Sequence, residues 1–205
     1  MFDRERARSL ISRATAAQRA AASTLCFYRV AVVRDNPASA FALPVFPDLV
    51  DDVLAALRVR MKDSTAGVDF AGFARRFEEI LGPDDAPFEE PYGLAAWAVD
   101  AVSLGDYALR TCSAPDRSDA ACFDVLLASY SFAGMLEGQV GDVASPVLAD
   151  LEFTRQMSDL EALISGVGVE GADFSALFAQ SDPLRTLLAE QFQAVVDAAA
   201  GNDVS

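Results

Sequence analysis

Histidine is absent from this 205-residue chain, and lysine occurs once, as Lys62. Without an imidazole there is no ordinary proton shuttle near neutral pH, and the commonest nitrogen ligand for zinc, iron or copper is missing. Nucleophilic catalysis loses its usual base for the same reason. Ser103, Ser129, Ser131, Cys112 and Cys122 have no histidine to pair with, and no Gly-x-Ser-x-Gly elbow occurs. The single lysine all but removes Schiff-base chemistry. Cysteine is scarce too: Cys26, Cys112 and Cys122 are an odd set with no Cys-x-x-Cys spacing, so free, buried thiols are expected rather than a disulfide framework or a zinc site. Phosphate-binding loops are missing, because Gly166, Gly168 and Gly171 fit neither a P-loop nor a dinucleotide fingerprint and follow no strand.

Long apolar runs are lacking as well. The longest, Ala120 to Leu136, includes Asp124 with several serines and glycines. It falls short of the roughly 20 apolar residues that span a bilayer and reads as a buried core helix. Near the start, Arg19, Arg29 and Arg34 interrupt the alanine-rich stretch that a secretory h-region would need, so a cytoplasmic location is expected.

What is present is a globular composition: 52% hydrophobic and 23% charged residues, with 12 Gly and 9 Pro. A chain of this length suits one domain and buries roughly 70% of its unfolded surface. Sixteen basic against 31 acidic residues give a net charge of −15. That balance repels phosphate backbones, disfavours nucleic acid and suits a basic protein partner. The charge is uneven: Arg4, Arg6, Arg8, Arg13, Arg19, Arg29 and Arg34 face only Asp3 and Glu5 over the first 34 residues. Either these arginines touch a membrane surface or nucleic acid, or they pair with the acidic body of the same fold or stay solvated.

Apolar residues recur at helical spacing throughout, and no period-two stretch with hairpin turns occurs, so the expected fold is an all-α, single-domain bundle of about seven to nine helices. A first helix is expected from Asp3 to Ala20 and a second through Val33, stopping before Asn36 and Pro37. Pro47 opens a third. Asp69 caps a fourth, whose stripe is Phe70, Phe73, Phe77 and Ile80 and which ends at Gly82 and Pro83. A fifth runs from Tyr92 to Arg110, and a sixth, apolar all round and expected to be the best buried, from Ser118 to Gly138. Ser145 and Pro146 begin a seventh. Gly166 to Gly171 separate residues 1–165 from a C-terminal extension, 166–205, with a short helix at 174–179 and a last one from Pro183 to Ala200.

The stretch Val68, Asp69, Phe70, then Arg76, Phe77, Glu78, Glu79, then Asp84, Asp85, Tyr92, Gly93 and Ala98, Asp100, Ala101 resembles the central region of the YjaG-like bacterial family, a domain of unknown function. The resemblance extends over roughly residues 1–165. It implies a compact all-α fold in a cytoplasmic bacterial protein and supplies no activity. After Ser165 the chain departs from the family's pattern.

Two sets of carboxylates are candidate sites. Asp84, Asp85, Glu89 and Glu90 crowd a proline-punctuated loop that is either a solvated surface, a face for a basic partner, or a weak Mg²⁺ or Ca²⁺ ligand set without EF-hand spacing. Asp100 and Glu137 lie within strongly apolar helices, where an unpaired carboxylate raises its pKa or finds a counter-charge such as Arg29, Arg75 or Arg110. No cofactor or metal is called for, and a ferritin-like di-iron site cannot be built without histidine. The chemistry that survives is binding: a non-enzymatic interaction or adaptor module, with apolar helix faces that also suit a homodimer. The alternative is a small-ligand binder or enzyme with a carboxylate pocket between helices.

Overall fold

Side-chain caps start four of the helices. In the computed structural model, which describes residues 1–63, 65–82, 93–139, 148–166 and 174–202, Asp3 accepts the Arg6 amide and starts α1 (Arg4–Arg13). The helix expected to continue to Ala20 stops instead at extended Ala14. Thr15 and Gln18 form a reciprocal capping box that starts α2 (Ala16–Val30), and two satisfied end donors outweigh continuation through Thr15. A 3₁₀ turn, Ala31–Asp35, follows. The Asn36 side chain then accepts the Ala38 amide, and Pro37 opens the short α3 (Pro37–Ala42), which sequence spacing does not reveal.

Next come α4 (Phe46–Lys62) and α5 (Phe70–Leu81). Asp69 caps α5 on the Gly72 amide, and Gly82 ends it at a φ of +78°, a left-handed conformation that favours glycine. Phe77 is buried, while Phe70, Phe73 and Ile80 lie half-covered against the core. Then follow α6 (Leu94–Ser113), α7 (Ser118–Gln139) and α8 (Leu148–Ile164).

The last two expected helices are one, α9 (Ser175–Asn202), which runs straight through Pro183. Proline removes an amide and crowds the preceding turn. Burial of Leu177, Leu184, Leu188 and Phe192 on the same continuous core holds both halves in line. Residues 174–202 therefore pack onto α2, α7 and α8 as part of one all-α domain with nine α-helices and no strand among the described residues.

The centre of the bundle is α2, not α7. Ten of the fifteen residues of α2 are buried, against eight of twenty-two in α7. The run Ala20 to Ser23 keeps the waist of α2 thin, so α4, α6, α7, α8 and α9 all pack against it. Gly105 of α6 continues the fit: a Cβ there would stand 3.1 Å from two ring carbons of Phe27. By contrast, α7 leaves Met135 exposed although its sequence is apolar around the circumference. Among the described residues, Pro115–Gln139 is the only helical stretch long and apolar enough to cross a membrane; here it packs against α1, α2, α6, α8 and α9.

Candidate functional site

Burying an arginine requires partners for five donors, and Arg29 on α2 finds them inside the bundle. Its guanidinium is fully buried and forms a two-pronged pair with Glu152 of α8, Nε to Oε2 and Nη2 to Oε1, both 2.8 Å. Nη1 reaches Asp159 Oδ2 at 2.8 Å and donates to Ser181 Oγ of α9 at 3.1 Å. Nη2 also approaches Cys26 Sγ at 3.4 Å.

The partners are secured in turn. Ser129 of α7 and the Gln156 amide both donate to Glu152 Oε1, at 2.7 and 3.0 Å. Arg155 closes on the other oxygen of Asp159, with Nε at 2.8 Å. Two arginines thus face two carboxylates, linking α2, α7, α8 and α9 in one neutral network.

Desolvation alone would push the Glu152 carboxyl up. The Arg29 charge, with hydrogen bonds from Arg29, Ser129 and Gln156, more than offsets it and holds the group below the usual carboxylate range. Arg29 is likewise held well above its ordinary value, because its carboxylate partners outweigh its own desolvation. A network in which every charge already has an opposite is a scaffold: it has no free base, and its cation is occupied.

The thiols are equally quiet. Cys26, Cys112 and Cys122 are free and buried. Burial raises Cys26 well above a normal thiol, Cys112 to about 11 and Cys122 to about 12, so little thiolate exists near neutral pH.

Of the expected counter-charges, Arg29 and Arg110 are committed elsewhere, and Arg75 is exposed on α5 with no ion pair to Asp100 or Glu137 among the described residues. Arg29 serves Glu152 and Asp159, and Arg110 pairs with Asp106 one turn away at 2.6 Å. The N-terminal arginines turn largely onto their own fold. Arg6 pairs with Glu161, Arg19 donates to the Ile11 carbonyl and to Ser118, Arg34 pairs with Asp35 and Asp51, and Arg8 stacks on Phe123.

Asp100 is therefore the candidate that keeps its isolation. It is half-buried on α6, its carboxyl raised by desolvation, and no ion pair or hydrogen bond reaches its side chain among the described residues. It lines an open groove of about 740 Å³ at the end of the bundle where α6 begins and α7 and α9 finish. Leu94, Trp97, Met135 and Val195 give the groove its apolar surface, and Ala96, Gly138, Ala198 and Ala199 keep its rim low. The floor is rigid: Trp97 is 8% exposed and packs edge-on against Phe132 and Phe192.

Glu137 does not join it. That residue is half-buried on α7, but Met135, Gly138 and Gln139 are the α7 residues on the groove. Asp84, Asp85, Glu89 and Glu90 lie outside the described residues. Among the described residues, no three His, Cys, Asp or Glu side chains converge as a metal site would require.

The network around Arg29 escapes a reading of the sequence because Glu152 and Asp159 look like surface acids. Their register is the missed signal. Glu152, Gln156 and Asp159 recur at steps of four and three on one face of α8, and Arg29 sits among Leu25, Cys26, Phe27 and Val30, where a solvated arginine has no place.

No family model matches the chain, and neither the curated proteins nor the solved structures contain a match to it.

Proposed function

We propose that this chain is a non-enzymatic, cytoplasmic protein-interaction module that receives a basic partner, with residues 1–165 forming a YjaG-like helical domain. One observation carries the reading: among the described residues the buried ions balance one another, so the excess of acidic over basic side chains there lies outside the core. Arg29 and Arg155 offset Glu152 and Asp159, and Arg110 offsets Asp106. Unbalanced surface charge steers a partner of opposite sign and raises its association rate more than its final affinity.

The test is capture of a stoichiometric partner by the full chain at low salt, followed by measurement of its association rate against ionic strength. The expected result is a basic protein whose on-rate falls by about tenfold or more as salt screens the charge. A complex whose rate ignores salt, or no complex at low salt, contradicts the reading.

A second reading has one observation in its favour. The groove beside Asp100 lies within the range of roughly 300–1,000 Å³ typical of small-molecule sites. Among the described residues it offers a single carboxylate, since Glu137 does not line it, and so favours binding of a cationic ligand over paired acid–base catalysis.

A further inference from the structure

The groove at the shared end of α6, α7 and α9 combines two features that suit one ligand. The first is an exposed large apolar side chain, Met135, 43% accessible, set over a rigid aromatic floor. Methionine at such a place adapts its unbranched thioether to whatever lies on it. The second is Asp100, partly withdrawn from water with no cation or donor among the described residues. One occupant with an apolar face and a single cation would cover the first and pair the second.

The rim decides the shape of that occupant. Ala96, Gly138, Ala198 and Ala199 present almost no side chain, so a helix backbone could approach closely along the groove. A small ligand is usually enclosed over most of its surface, whereas this groove is open along one side.

A second copy is a poor occupant. Two chains of charge −15 repel, and the arginine-rich α1 of a neighbour has already committed Leu10 and Ile11 to its own core. We infer that the groove beside Asp100 receives an amphipathic helix of a basic partner, its apolar residues lying on Trp97, Met135 and Val195 and one lysine or arginine reaching Asp100. This inference rests on the interaction-module reading and adds to it the place of contact and the form of the ligand.

Trp97 is the only tryptophan in the chain and lines the groove, so it reports occupancy directly. The experiment selects helical peptides from a displayed library on the full chain, then titrates the enriched peptide, synthesised without tryptophan, while Trp97 fluorescence is followed. Enriched sequences should carry apolar residues at steps of three and four with one Lys or Arg, and should saturate the fluorescence change. Met135→Asp, an exposed position whose substitution leaves the core intact, should weaken binding by about tenfold or more. Asp100→Asn should weaken the cationic peptide while leaving unchanged its variant with norleucine in place of the cation.

The inference is overturned if no peptide enriches, if enriched peptides bind Met135→Asp equally well, or if Asp100→Asn affects both peptides alike. The wider reading fails separately. A basic partner that still binds both variants in the salt experiment removes the groove and leaves the module, whereas groove-binding peptides with no salt-sensitive partner remove the module.

Discussion

Two regions of this bundle withdraw carboxylates from water, and they do so with opposite outcomes. Around Arg29, Glu152 is wholly buried yet held below the usual carboxylate range, because a guanidinium and donors from α7 and α8 surround it. In the groove, Asp100 is only half-buried yet raised, because desolvation acts there without a counter-charge among the described residues. Depth alone does not decide the charge state of a buried acid; the partner does. The first arrangement spends its electrostatics on holding four helices in register. The second leaves a carboxylate that an outside cation could still satisfy.

The largest effect should come from breaking the internal side of that contrast. Arg29→Met leaves Glu152 without its cation and Asp159 with Arg155 alone, and should lower unfolding stability by about 3–5 kcal/mol in a urea titration. Combining it with Glu152→Gln should recover part of that loss, since the uncompensated charge rather than the lost contact dominates it. A double variant no better than the single would place the loss in packing instead.

Acid dependence sharpens the same comparison. The folded pKa of Glu152 lies below its unfolded value, so its contribution is complete above the ordinary carboxylate range near 4 and is lost as pH falls through the folded value. Glu152→Gln should therefore flatten the acid limb of a stability–pH curve.

Asp100 has the reverse sign. Its folded pKa lies above the unfolded one, so the folded state is penalised progressively as pH rises from about 4 through the folded value. Asp100→Asn should raise Tm slightly at pH 7, with the gain vanishing below about pH 4. The smallest effect concerns the thiols. Cys26 and Cys122, both buried with raised pKa values, should react with a thiol reagent at pH 7 only at the rate of unfolding.

Much of the fold was readable from local chemistry. Asp69 and Gly82 bound α5 where a capping residue and a left-handed glycine should, and the apolar steps of α4 and α6 match their buried faces. Readings failed where a tertiary contact overrode a local preference. Pro183 is expected to open a separate last helix, but packing of α9 on the core carries a single helix through it. α7 is apolar enough to be the centre, yet alanines make α2 the helix that more neighbours can approach.

The candidate site was half legible. Asp100 announces itself as an acid in an apolar helix. Glu137 announces itself in the same way but lies off the groove, because one step along α7 changes its direction by about 100°. The Arg29 network depends on α2 and α8 meeting more than a hundred residues apart in sequence, and no local pattern encodes that meeting.

The most direct test is a site-resolved titration of the carboxyl ¹³C resonances of Glu152 and Asp100 in the intact protein. Glu152 should titrate below the ordinary carboxylate range and Asp100 above it. Both groups titrating at ordinary values, or Asp100 below them, would contradict the division between a closed internal network and an unpartnered groove acid.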